Sequence, residues 1–140
     1  MVLTLGVTLL LDNELCLYTL AGEKQSCTNL EQLNPIDAKS LHWSPDSTKI
    51  AFSEDFLAYF RDSDIWMLDA TTNTLSDLTP APNRELKILP NKDSNLIFTV
   101  DITPQWSADS QFIYFIRSTI SKAVYLSVGF FRVTVAGGEP

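Results

Sequence analysis

Cysteine, histidine and basic residues are scarce in this chain, and each shortage excludes a class of protein. Two cysteines among 140 residues are too few for a small scaffold held together by disulfides. Ten Lys and Arg stand against seventeen Asp and Glu, and the formal net charge of −7 would repel a phosphate backbone. The single histidine, His42, cannot form a zinc site without a cluster of Cys and His at ligand spacing. We therefore expect neither nucleic-acid binding nor a metal cofactor.

Long hydrophobic runs are missing as well. The longest apolar stretch near the start, MVLTLGVTLLL, has eleven residues, whereas a membrane-spanning helix needs about 20. No Lys or Arg precedes it, so it lacks the charged start of a signal peptide. We interpret it as a buried strand, and we expect neither membrane insertion nor an export signal within the chain.

The usual catalytic motifs are also missing. None of the five glycines belongs to a Gly-x-Ser-x-Gly nucleophile elbow or to a glycine-rich phosphate loop. His42 has no nucleophile motif beside it, which favours a structural or channel-lining role over a catalytic one. We expect no catalytic residue, no cofactor and no enzymatic activity in this chain.

Four aspartates, Asp55, Asp62, Asp64 and Asp69, form the densest acidic group. Their oxygens would suit Ca²⁺, but the ligand order of a calcium-binding loop is missing. We interpret them as solvated carboxylates in turns, and no metal site is predicted.

The two cysteines lie in one predicted hairpin, centred near Gly22 and Glu23. That centre places Cys16 opposite Asn29 and Cys27 opposite Tyr18. A disulfide needs closely opposed positions, so we expect two small buried thiols and no bridge.

A repeated segment dominates the sequence. LHWSPDSTKIAF, residues 41–52, returns as PQWSADSQFIYF, residues 104–115. DIWMLDATTNTLSDLT follows the first copy and GFFRVTVAGGEP the second, and residues 14–30 fit the same frame. The sequence therefore contains three copies of one hairpin.

The repeated motif has the chemistry of a tight turn. Pro45 occupies the second turn position, where its fixed φ is suitable, and Asp46 occupies the third, where its side chain can bind the backbone. Both copies carry a serine, Ser47 or Ser110, at the fourth place, where a glycine would adopt the left-handed conformation without penalty. We expect each turn to be slightly strained.

The strands after these turns are apolar on both faces, as in KIAF, DIWML and FIYFI. This pattern is typical of sheets packed between other sheets, and short, evenly spaced strands indicate the blades of a β-propeller. No long stretch has helical periodicity. The predicted fold is all-β, with antiparallel four-stranded blades in an incomplete ring.

These motifs resemble the WD40-like repeat of TolB-type β-propellers. The resemblance implies that the two tryptophans close the innermost strand of each blade, with the turn beside them. The repeat-motif residues with this structural role are Trp43, Ser44, Pro45, Asp46, Trp106, Ser107 and Asp109.

The resemblance divides the chain into a partial blade over residues 1–35, a full blade over 36–80, an insertion over 81–98, and a blade without its outer strand over 99–140. A propeller closes with four to eight blades, and about two and a half are present. The chain is therefore interpreted as a piece of a longer propeller; the alternative is a short unit of which several copies form a ring.

Two functions fit this fold. The first is a non-enzymatic module, resembling TolB, that binds a protein or peptide. The alternative is a gating propeller of a prolyl-oligopeptidase-like or dipeptidyl-peptidase-like serine peptidase, whose catalytic domain lies outside this chain. The resemblance alone implies a periplasmic or cell-envelope location.

Candidate contacts for a partner lie in the loops. Insertions at the rim of a propeller often form its binding face, and STISKAVYLSV and the segment 81–98 are such insertions. Tyr59, Phe60 and Arg61 are possible partner contacts, since aromatic residues are enriched at the centres of interfaces. Other expected partners are the remaining blades of the same propeller, or a second copy bound through exposed edges.

Overall fold

The computed structural model describes residues 6–55, 62–80, 97–122 and 124–137. These residues form three antiparallel sheets, and one 3-10 turn at Ala38–Ser40 is the only helical element among them. None of the described residues forms a helix of the length and hydrophobicity that crossing a membrane requires. The prediction of an all-β antiparallel architecture is confirmed.

The three sheets follow one another along the chain, and neighbours in each sheet are sequential strands. The first sheet contains β1 (Val7–Leu11), β2 (Glu14–Tyr18) and β3 (Lys24–Asn29). The second sheet contains β4 (His42–Trp43), β5 (Lys49–Ser53), β6 (Ile65–Asp69) and β7 (Thr74–Asp77). The third sheet contains β8 (Ile97–Trp106), β9 (Phe112–Ser121) and β10 (Val124–Thr134).

The strand β8 begins at Ile97, inside the insertion that was predicted over residues 81–98. The first two residues of β8 therefore lie within the predicted insertion. β8 has ten residues, against two in β4, its counterpart in the second sheet. The extra length pairs with an equally long β9.

The repeated turn has the same hydrogen bonds in both copies. Ser44 Oγ donates to Asp46 Oδ1 at 2.6 Å, and the amide of Lys49 donates to Ser44 Oγ at 2.9 Å. Ser107 Oγ donates to Asp109 Oδ1, also at 2.6 Å. The Ser and Asp of the motif thus close each turn with side chains, which explains why these two residue types recur.

Both turns carry the predicted strain. Ser47 and Ser110 adopt the left-handed conformation, with φ of 59° and 60°. This conformation is costly for a residue that has a Cβ. The hydrogen bonds around Asp46 and Asp109 hold the turns despite this cost.

These bonds make the turn sensitive to acid. Partial burial alone would raise the pKa of Asp46, but hydrogen bonds from Ser44 and Thr48 and the charge of Lys49 outweigh it and lower the pKa below its ordinary value. Because the pKa of Asp46 is lower in the folded protein than in the unfolded chain, its carboxylate stabilises the fold at pH values above the unfolded pKa of about 4. This stabilisation is lost as the pH falls through the folded pKa.

We therefore expect Asp46→Asn to destabilise the protein at pH 7, by at most about 1 kcal/mol because water screens the side chain. At about pH 2.5 the cost should be smaller than at pH 7, because more of the wild-type carboxyl is then protonated. Urea denaturation at both pH values measures this, with Glu31→Gln, an exposed carboxylate, as control. An equal loss at the two pH values would contradict the prediction.

The core lies between the sheets, and β5 contributes to both of its layers. Ile50 and Phe52 pack toward the first sheet, whereas Ala51, between them, packs toward the third. The layer between the first and second sheets contains Leu15, Leu17, Leu30, Ile50, Phe52 and Leu68. The layer between the second and third contains Ala51, Ile65, Met67, Leu78, Ile113, Phe115 and Val133. The apolar strands KIAF and DIWML of the second sheet are therefore buried on both faces, as predicted. The prediction is wrong for FIYFI, because Tyr114 is exposed on one face of the third sheet.

The prediction for the cysteines is wrong. Cys16 lies directly opposite Cys27, with a Cα separation of 4.0 Å, and the two form a disulfide. The hairpin turns earlier than expected, since the amide of Thr19 donates to the carbonyl of Glu23. An irregularity beside Tyr18 completes the change of register.

The acidic group also differs from the prediction. Asp62 and Asp64 are buried, not solvated. The amide of Thr99 donates to Asp62 Oδ1 at 2.6 Å, and the amide of Asp64 donates to Glu54 Oε2 at 3.2 Å. Carboxylates here satisfy backbone amides where the second and third sheets meet, which is why their burial is tolerated.

Candidate interaction surface

Exposed apolar side chains are concentrated on one sheet. Nine large hydrophobic side chains are exposed among the described residues, and eight of them belong to the third sheet. These eight are Ile97, Tyr114, Val124, Tyr125, Leu126, Val128, Phe130 and Phe131. They lie on both faces of the sheet and along its edge. Exposed apolar surface concentrated in this way marks an interaction site more often than an ordinary surface.

The repeat shows which of these positions are built for burial. When Trp43 is aligned with Trp106, Ala51 corresponds to Tyr114. Met67 pairs with Ala51 in the second sheet, as Arg132 pairs with Tyr114 in the third. The same registers make Ile65 the counterpart of Phe130.

The two sets of counterparts differ in exposure. Ala51, Ile65 and Met67 are buried beneath the third sheet. Tyr114 is 46% exposed and Phe130 is 88% exposed, and Arg132 is also exposed. We call Tyr114, Phe130 and Arg132 the free face. The corresponding face of the second sheet is covered by the third sheet, whereas no described residue covers this face of the third sheet.

The free face is positively charged on an acidic protein. The guanidinium carbon of Arg132 lies 4.8 Å from the centre of the Phe112 ring, where the ring can stabilise the cation. Tyr114 adds a ring with a hydroxyl group, which can donate a hydrogen bond. This combination suits a partner that presents small apolar residues and a carboxylate.

The outer edge of β10 is the second open feature. β7 pairs with the outer edge of β6, but within the described ranges no strand pairs with the outer edge of β10. The outer strands β3 and β7 are rich in polar residues, as their sequences KQSCTN and TLSD show. β10 instead carries no charge from residue 124 to residue 131, so its edge has the composition of an interior strand.

The third sheet extends beyond the length of the second. β9 and β10 have ten and eleven residues, against five each in β5 and β6. We call residues 117–121 and 124–129 the strand extension. On its inner side, the amide of Ser63 donates to the carbonyl of Thr99, and the carbonyl of Ser63 accepts from the amide of Asp101. Its outer edge, residues 124–129, is open among the residues described.

A buried ion pair holds the base of this extension. Arg117 donates to both carboxylate oxygens of Asp101, at 2.8 and 2.7 Å, and Asp101 is fully buried. The hydrogen bonding to Asp101 raises the pKa of Arg117 above its ordinary value, despite an opposing effect of burial. The rings of Phe115 and Phe131 lie 5.4 and 5.2 Å from the guanidinium carbon. Arg117 is therefore fixed in charge and in position.

Two hydrogen bonds join the second and third sheets through the repeat motif. Trp106 Nε1 donates to the carbonyl of His42 at 2.9 Å, and the amide of Asp46 donates to Ser110 Oγ at 3.1 Å. Trp43 has the same place in the motif as Trp106, but its buried Nε1 finds no acceptor in the described part of the chain. The ring of His42 is exposed, and its Nε2 lies 3.5 Å from Gln105 Nε2.

The predicted contacts Tyr59, Phe60 and Arg61 lie outside the described residues. The repeat-motif residues form the two turns and the two inner strand ends, away from the free face. Sequence reasoning missed the free face, although one signal for it was present: Tyr114 stands where the other copy has Ala51.

The described residues offer one cluster of possible metal ligands, which contains Glu14, Cys16 and Cys27. Its two sulfur atoms are joined to each other. They are therefore not available as the thiolates that a metal would need.

Among solved structures, the chain is similar to a protein of Agrobacterium tumefaciens described as a TolB, with a TM-score of 0.53 and 17% sequence identity. The match covers 96% of this chain and 39% of that protein. The fold is that of a TolB-like β-propeller segment. Its sheets do not close a ring, so the predicted fold class is confirmed. A scan of protein families gives no match, and neither does a search of curated proteins.

Proposed function

We propose that the chain is a non-enzymatic module, built on a TolB-like propeller segment, that binds a protein or peptide. The observation that carries this proposal is the free face. Its residues occupy positions that are buried by a neighbouring sheet elsewhere in the same molecule, and here they are exposed. No feature of the described residues favours the gating alternative.

The chemistry of the free face defines its partner. A carboxylate facing Arg132 would form a charge-assisted hydrogen bond, and small residues would accommodate Tyr114. The remaining blades of a propeller could supply such a face.

The proposed compartment is the periplasm or the cell envelope. The disulfide between Cys16 and Cys27 supports this location, because disulfides persist in oxidising compartments and are rare in the reducing cytosol.

A random peptide library selected on the immobilised protein tests the proposal. We expect enriched peptides that combine apolar and acidic residues. In fluorescence anisotropy, Tyr114→Asp should weaken their binding at least tenfold, because it removes an aromatic anchor and adds a charge that repels the acidic peptide. Peptide and ester substrates should show only background hydrolysis.

The matched control is Leu20→Asp, which places the same charge on an exposed apolar residue in the first hairpin. It should leave the affinity unchanged. The proposal fails if no peptide is enriched, if both variants bind equally well, or if the chain turns over a substrate.

A further inference from the structure

We propose that the open edge of the strand extension pairs with the same edge of a second copy of this chain. The two β10 strands would run antiparallel and join the two third sheets into one continuous sheet. This inference goes beyond the proposed function, because it concerns strand pairing at the edge of β10. Phe130 and Arg132 belong both to this edge and to the free face, whereas Tyr114 of β9 belongs to the free face alone.

The edge of β10 has few of the features that prevent strand pairing. Natural edge strands are protected by Lys, Pro, inward charges, short length or β-bulges, and β10 has one of these, an irregularity between Tyr125 and Ser127. Residues 124–131, VYLSVGFF, contain none of these charges and no proline, and β10 is the longest strand among those described. Val, Tyr and Phe are also residues that favour strands.

A fourth strand of the repeat would not cover this edge. In the second sheet, β7 pairs only with Trp66, Met67, Leu68 and Asp69 of β6. The counterparts of these four residues in β10 are residues 131–134, so a strand equivalent to β7 ends where the extension begins. A neighbouring sheet as short as the second sheet would not reach the extension either.

The sequence of the edge is complementary to itself. With the two-fold axis at Val128, Ser127 lies opposite the partner's Gly129, and the exposed side chains of Leu126 and Phe130 come close together beyond the irregularity between Tyr125 and Ser127. The same register places Arg132 near the partner's Val124. The cations of Lys122 and Arg132 therefore do not face each other across the pair.

The size of the surface also fits a second copy. Val124, Tyr125, Leu126 and Val128 are exposed by 57–64%. Together with Phe130 they present on the order of 500 Å² per copy. Edge pairing covers part of these side chains on each copy and therefore buries less than about 1,000 Å², the range of a weak interface. Because the contact uses the same edge on both copies, it closes at two chains and does not continue into a fibre.

Sedimentation velocity of the 140-residue chain over a range of concentrations tests this inference. We expect a monomer–dimer equilibrium in the micromolar range. Salt should strengthen the dimer, since each copy carries a net charge of −7 and salt screens the repulsion. Leu126→Lys and Val124→Lys should each weaken dimerisation more than tenfold, because each adds two like charges to a desolvated strand pair.

The matched control is Leu20→Lys, which adds the same charge to a similarly exposed leucine and should leave the dimer intact. Circular dichroism verifies that every variant retains its strands. A monomeric wild type at high concentration overturns the proposal, and so does a dimer or larger assembly that both edge substitutions leave unchanged.

Two substitutions distinguish the two proposals, because Tyr114 lies outside the strand pair and Leu126 lies outside the free face. Tyr114→Asp should keep the dimer while losing peptide binding, and Leu126→Lys should do the reverse. If Tyr114→Asp abolishes the dimer, the two copies associate through the free face, and the edge proposal is wrong.

Discussion

Arg117→Ala should lower the free energy of unfolding by about 3–5 kcal/mol, because it leaves a fully buried carboxylate without its cation. Asp101 accepts both of its short hydrogen bonds from Arg117, and its position on β8 is too deep for water to replace them. Urea denaturation followed by circular dichroism measures the loss. Arg132→Ala, which removes an exposed arginine from the same sheet, should cost much less.

A double variant distinguishes the effect of the missing cation on stability from the effect of the lost side-chain packing. Arg117→Met combined with Asp101→Leu removes both charges and retains apolar volume, and such replacements of a buried pair are often neutral or stabilising. We expect the double variant to be more stable than Arg117→Ala. If Arg117→Ala costs no more than Arg132→Ala, the pair does not hold the base of the strand extension.

Reduction of the disulfide between Cys16 and Cys27 should lower the free energy of unfolding by about 3 kcal/mol. The estimate follows from the sequence separation of 11 residues and the loop-closure entropy that the bridge removes from the unfolded chain. Denaturation with and without a reductant measures it. Cys16→Ala combined with Cys27→Ala is the control, because its stability should not respond to reductant.

A thiol assay on the unfolded, unreduced protein gives an independent test. It should detect no free thiol. Two free thiols would mean that the bridge is not formed, and the argument for an oxidising compartment would then fail as well.

Local sequence chemistry predicted the parts of the fold that depend on neighbouring residues. Pro45 and Asp46 define a turn within four positions, and the apolar runs after each turn indicate strands with two buried faces. These interactions are short in sequence, so a single copy of the motif specifies them. The repetition of the motif then indicated the propeller architecture.

The remaining features depend on register and on distant parts of the chain. One irregularity beside Tyr18 brought Cys16 opposite Cys27, and hairpin symmetry alone could not reveal it. Asp62 is buried because it accepts the amide of Thr99, which lies in another sheet. The free face depends on which neighbours a sheet has, and that information is not contained in the composition of its strands.

The bonds from Trp106 to His42 and from Asp46 to Ser110 have a consequence for how such a chain could lengthen. Both use residues of the turn motif, so a duplicated segment brings its own attachment to the segment before it, together with the turn that shapes it. An in-frame tandem duplication would therefore yield a unit that docks without further substitutions. The two bonds are not symmetric between the units. The indole of Trp106 and the hydroxyl of Ser110 belong to the later unit, and both bind the backbone of the earlier one. Each added unit would depend on its predecessor, and growth at the carboxyl end would disturb the existing structure least.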